Sequence, residues 1–215
     1  MTIRLSILMF LGWQIGAALL LAAEPTEVKY RGFTIDDSRI AAAADLKAII
    51  RATEEQIDIV CEVGLPDDIL KFLQGVPFEL VPVGSIARGS PGLYGGRERS
   101  VKVVSGIVAV GHKPVLLHEL LHAFHDKKLK DGFANPDVSR FFQQARGASL
   151  FELKSHMMQN DREFFACAAT TYLFGVTAQE PFLREKLKAK QPAFVEYLKG
   201  IFGPTAGAFA GSLTR

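Results

Sequence analysis

The chain is short of several residue types whose abundance would have pointed elsewhere. Cysteine occurs twice, at Cys61 and Cys167, which is too few for a disulfide framework; one bridge is compatible with that count and not required by it. A charge excess of one sign is missing as well. There are 25 Lys+Arg against 23 Asp+Glu, one of the basic residues being Arg4 in the N-terminal stretch. With no basic arm or stripe, nothing argues for a nucleic-acid partner. Repeats and long low-complexity segments are absent, so the body reads as continuous, and 215 residues suffice for one domain with a substantial core but not for two ordinary ones. Histidine is scarce too, at 5 residues. All of them fall between His112 and His156, at His112, His118, His122, His125 and His156, and that clustering favours a site.

Residues 1–23, "MTIRLSILMFLGWQIGAALLLAA", combine Arg4, no acid, an apolar run from Leu5 and the small pair Ala22–Ala23. This reads as a secretory signal peptide, implying a secreted or periplasmic mature protein. An uncleaved anchor competes, because the run from Leu5 could just span a bilayer. Gln14 in its middle and the alanine pair at its end favour cleavage, and with it no stable membrane association. The domain is expected over 24–203, followed by a loose tail over 204–215 that lacks periodicity.

Helical spacing of apolar residues runs from about Ile40 to Val60, and a second short helix follows Pro66. "PFELVPV" has strand alternation that Pro82 confines to an edge or a strand end. The Gly- and Pro-rich "SIARGSPGLYGG" reads as a loop, and "SVKVVSGIVAV" as two short strands broken at Gly106. In "PVLLHELLHAFHDKK" Pro114 suits a helix start, and the closing lysines suit the negative end of a helix dipole.

HELLH therefore sits on a helix. Residues four apart share a helix face, so His118 and His122 can aim ring nitrogens at one point, with Glu119 about 100° to the side. Zinc takes nitrogen and oxygen donors at about 2.0–2.2 Å and, in catalytic sites, keeps one position open for water. Glu119 is then placed as general base. The third ligand must come from elsewhere. His125 rises about 10 Å above His118 on the same helix, too far to share an ion, and is expected behind the ligands or at the surface. Lys128 occupies the position where the long metzincin motif needs a histidine, and no glutamate stands at thermolysin-like spacing. In "NDREFFACAATTYLFG", an apolar helix pattern, Glu163 lies in the first turn on the same side as Cys167, and a helix-borne glutamate is a standard third ligand.

The HExxH pair followed by a helix that opens with glutamate, two aromatics and alanine resembles the catalytic domain of anthrax lethal factor and its relatives, among them secreted Pro-Pro endopeptidases. The resemblance covers roughly Lys113 to Gly203. It implies an α+β zincin, a small sheet packed on helices, with one zinc per chain held by His118, His122 and Glu163, and Glu119 as base. Two positions depart from the family. Where it places an oxyanion-donating tyrosine, seven residues before the glutamate ligand, this chain has His156, a residue able to do the same work when protonated or to lie free in a loop. Where many such enzymes place an acid that orients a ligand imidazole, this chain has Cys167. Its options are pairing with Cys61, approaching the metal or packing as a small hydrophobe, the last favoured.

The expected substrate is a peptide or protein, laid against an edge strand for which "RERSVKVV" is the candidate; Tyr94, amid glycines, can line the cleft but reads more readily as a turn residue. Phe182, Leu183, Leu187, Phe194 and Leu198 read as a core stripe. The reading is a secreted or periplasmic zinc endopeptidase with catalytic Glu119 and His156; the alternative is a zinc-binding interaction module that has lost turnover.

Overall fold

The computed structural model describes residues 27–106 and 113–205. The leader, His112 with the strand read after Gly106, and nearly all of the tail lie outside the described residues. Two short strands open the fold, β1 (Glu27–Tyr30) and β2 (Phe33–Asp36). They are joined at Arg31 and Gly32, both at positive φ (44° and 84°), the backbone combination that fits a two-residue hairpin to the twist of its strands. Helix α1 (Leu46–Glu62) buries Ile49, Ile57 and Val60. It begins later than its sequence pattern suggested, because Ala41 to Ala44 carry no side chain worth burying and a helix is held mainly by its packed face. Helix α2 (Asp67–Gln74) starts after Pro66 with two aspartates in its first turn, where the helix dipole favours them.

The remaining strands are β3 (Phe78–Val81), which ends just before Pro82, β4 (Gly92–Gly95) and β5 (Ser100–Val104). The sheet order is β1-β2-β3-β5-β4, with β2, β3 and β5 parallel and the outer strands β1 and β4 antiparallel to their neighbours. This corrects the expected edge. "RERSVKVV" contributes β5, an interior strand, and the edge is "GLYG", inside the stretch that reads as a loop. Glycine at both ends of β4 hides its strand character, since it removes the alternation a strand is recognised by.

Helix α3 (Val115–Lys128) carries HELLH, α4 (Pro136–Gly147) is capped by the Asn135 side chain, which accepts Val138 N–H at 2.9 Å, and α5 (Asp161–Phe174) carries Glu163. Leu116 to His125 of α3 and Phe164 to Phe174 of α5 are buried without interruption, as helices inside a core must be. Two short helices, α6 (Arg184–Lys190) and α7 (Pro192–Phe202), close the domain. Of the expected core stripe, Leu187, Phe194 and Leu198 are fully buried, but Phe182 and Leu183 are 43% and 51% exposed. Both precede α6, Phe182 at φ 64°, so they lie outside the helical register the stripe assumed. The architecture is α+β, a five-stranded sheet packed on helices, and no described helix is long and apolar enough to cross a membrane.

Candidate metal centre and cleft

Helices α3 and α5 pack directly against each other. Helix α5 buries Ala166, Cys167, Ala169 and Thr170, short side chains of the kind that let helix axes approach closely. The Asn160 side chain caps α5 by accepting Glu163 N–H at 3.0 Å. An asparagine three residues before a glutamate is a capping-box pattern, but this carboxylate does not turn back to the cap. It faces the α3 histidines instead.

The His118 and His122 Nε2 atoms are 3.2 Å apart, and Glu163 Oε2 lies 3.3 Å from the first and 3.2 Å from the second. Donors bound to one tetrahedral zinc at about 2.0–2.1 Å stand roughly 3.3–3.4 Å from each other. Glu163 Oε2 is also buried without a hydrogen-bond partner among the described residues, although three imidazole nitrogens surround it: the approach directions are not those of N–H donors. An orphaned buried carboxylate oxygen ringed by nitrogens is what a cation's ligands look like when each is aimed at the same point. The donor set fits zinc.

His156 joins this group from a single 3₁₀ turn, His156–Met158, with Nε2 at 2.9 Å from Glu163 Oε2. His118, His156, Glu163 and Cys167 each offer a donor atom within 4.8 Å of the others. His156 is therefore not a free loop residue. Contact with Glu163 raises its pKa against the opposing effect of burial. Burial alone would raise the Glu163 carboxyl, yet His118, His122 and His156 hold it far below the usual carboxylate range. The two cysteines are unpaired, so no disulfide joins them. Cys167 is buried as expected and its thiol pushed up by that burial, but it also borders the site, where Gln179 Nε2 approaches its sulfur at 3.6 Å.

Glu119 is seated by the edge strand. Its Oε2 accepts Tyr94 N–H at 2.8 Å, and burial pushes its carboxyl up to about 7, against the pull of His118. Tyr94 is thus a strand residue beneath the cleft, its hydroxyl donating to Asp126 Oδ2 at 2.8 Å. A Cβ on Gly92 would stand 2.7 Å from Glu119 Cγ, so only glycine lets β4 come this close. His125 is fully buried against Phe133 and Phe165, with ring centroids at 5.2 and 4.7 Å, which excludes the surface, one of its two expected placements. It touches none of the donor atoms above.

Two cavities meet at the donors. The larger, about 620 Å³, is lined by His118, Glu119 and His156 with Cys167, Thr170 and Gln179. The smaller, about 270 Å³, adds Tyr94, Phe133, Asn160 and Arg162 on the other flank. Gly92, Tyr94, Phe133, Asn160 and Arg162 carry no motif of their own; among them only the Asn160–Glu163 spacing offered a signal in the sequence.

No family model matches the chain, and no curated protein matches it in sequence. Among solved structures it is similar to a Pro-Pro endopeptidase, PPEP-2, from Paenibacillus alvei, with a TM-score of 0.50, 18% identity, and coverage of 73% of this chain and 92% of that one. The likeness shows the fold alone: the α+β arrangement of sheet and helices is shared with that structure. The chemistry of this chain has to be argued from the residues above.

Proposed function

We propose that this protein is a zinc-dependent endopeptidase, exported by its N-terminal leader. The observation that carries the reading is the meeting of His118 Nε2, His122 Nε2 and Glu163 Oε2 at tetrahedral spacing, with Glu119 lining the same cleft. One zinc held by these three residues would supply Lewis acidity, making a water a better nucleophile and polarising a peptide carbonyl. Glu119 takes the proton of that water and returns it to the leaving amine; a carboxyl raised to about 7 is well matched to holding a proton briefly near neutral pH. Tyr94 N–H fixes one of its oxygens and leaves the other for the proton. His156, whose pKa is raised by its contact with Glu163, is placed to donate to the developing oxyanion. The outer side of β4 offers backbone groups to an extended peptide.

A second reading rests on the 2.9 Å contact between His156 and Glu163. If His156 is a fourth ligand, the site is closed, and the domain binds zinc and a partner without turnover. Elemental analysis and peptide-library digestion separate the two. The enzyme reading expects about one zinc per chain, no hydrolysis but retained zinc in Glu119→Gln, and a 10- to 1000-fold loss of kcat in His156→Ala with zinc affinity kept. Loss of zinc from His156→Ala, with no peptide cut by zinc-loaded wild type, establishes the closed site instead.

A further inference from the structure

Each flank of the cleft carries a cation among its described lining residues. The larger cavity presents hydroxyl, amide and small side chains beyond the shared donors, with Lys113 among its described lining residues. The smaller holds Arg162, one residue before the ligand Glu163 and exposed on the first turn of α5. The contact that the described residues give its guanidinium is with the Phe133 ring, 4.4 Å from the centroid. Phe133 is itself held edge-on against Tyr94, with centroids 6.3 Å apart, and against His125. Arg162 is therefore fixed by a stacking partner that leaves its N–H donors free, and a group so positioned loses less freedom when it binds.

Three carboxylates around the cleft are already engaged. Glu119 accepts from Tyr94 N–H, Glu163 is ringed by imidazoles, and Asp126 accepts from Tyr94 and pairs with Lys127 at 2.6 Å. With a divalent ion at the centre the charges of Glu119 and Glu163 would be balanced, and Arg162 is the guanidinium that the described residues place in the lining of this cavity. A cavity of about 270 Å³ has room for about one substrate side chain rather than a separate ligand.

We infer that the Phe133–Arg162 flank is a carboxylate-reading subsite, so that the substrates are peptides with an acidic group beside the bond that is cut. The identification of a cut bond rests on the peptidase reading; the recognition of the carboxylate does not. An Asp or Glu side chain and a free peptide C-terminus offer the same chemistry, and a guanidinium suits either as a bidentate partner.

The test uses zinc-loaded full-length protein and internally quenched peptides, each position carrying Asp, Glu, Asn, Gln, Lys or Arg in turn, with C-termini either free or amidated. At one fixed position the acid should exceed its amide isostere by about tenfold or more in kcat/KM, as expected of a charge-assisted contact. Arg162→Ala should bring that ratio to about one, Arg162→Glu should reverse it toward Lys or Arg, and Arg162→Lys should keep part of it. Preference retained by amidated peptides assigns an internal side chain; preference seen only with free C-termini assigns the terminal carboxylate. The second readout is fluorescence anisotropy of the same peptides on Glu119→Gln protein, which binds without cutting. Wild type that cuts without acid preference, or a preference that survives in Arg162→Ala, overturns the subsite and leaves the peptidase reading standing. Acid-selective binding that depends on Arg162, in a protein that cuts nothing, supports the subsite and overturns the peptidase reading.

Discussion

At Gly92 a single hydrogen atom decides how closely the edge strand approaches the general base. A methyl group there would lie 2.7 Å from Glu119 Cγ, 2.9 Å from its Oε1 and 2.9 Å from Val115 Cγ1, so one of them must move. Glu119 is the freer to do so, at the cost of its bond from Tyr94 N–H. Gly92→Ala should leave zinc stoichiometry intact while lowering kcat by roughly 10- to 100-fold, because displacements of about 1 Å in reacting groups carry penalties of that order. Steady-state kinetics beside metal analysis checks it; an unchanged kcat would show that Glu119 needs no such seat. His118, Glu119 and His122 were legible in the sequence because they lie at a spacing a helix turns into geometry, and Glu163 because it opens a helix with the pattern the resemblance rests on. Gly92, Tyr94 and Arg162 were not. Their roles depend on which strand and which loop come to lie beside the helices, and no local pattern encodes that.

The pair α3 and α5 shows the same division at the next scale. Each helix was readable from its periodicity, its start and its end; that they would lie side by side followed only from the need of Glu163 to reach the histidines. Helix α4 went unread although Asn135 and Pro136 begin it in the preferred manner, since the search of that stretch was for a missing carboxylate. His125 on the buried face of α3 has a consequence of its own. Neither ring nitrogen finds a partner among the described residues, and burial lowers its pKa to about 3, with His122 and Arg162 adding to the effect. An unfolded histidine titrates near 6.5. Between about 6.5 and 3, therefore, the unfolded chain binds a proton that the folded chain refuses: the stability from a neutral His125 is complete above the upper value and is lost as pH falls through that window, by about 1.4 kcal/mol per pH unit. His125→Leu should remove this slope and, by replacing an unpartnered ring, should be neutral or stabilising at pH 7. Urea midpoints from pH 7 to 4 in the presence of a chelator give the comparison; parallel curves for the two proteins would place a proton or a hydrogen bond on His125 that this reading denies.

For the molecule as a whole, the proposed ligands come from separate parts of the chain: His118 and His122 from α3, and Glu163 from α5 after the intervening α4 and the His156 turn. The unfolded chain cannot bring these donors together, so zinc held as proposed would bind the native state preferentially, and its binding energy would be folding energy. Titrating zinc into chelator-stripped protein should raise the melting temperature continuously with free zinc, approaching about 2.7 kcal/mol of added stability at a hundred times the dissociation constant. Glu163→Ala should flatten that response, and Glu119→Gln should leave it unchanged, since Glu119 holds a proton rather than the ion. His156→Ala is informative in the same experiment: a response equal to wild type keeps the fourth position open for substrate, whereas a weakened one makes His156 a ligand. The export reading is checked on the same material before it is stripped. Mass spectrometry of protein recovered from its natural host should find a new N-terminus near Ala22 to Glu24, where the small residues end the apolar run. An intact Met1 in a soluble cytosolic fraction would contradict export. Cytosolic retention would also change the meaning of the zinc titration, because the free zinc available to the site would then be set by intracellular buffering.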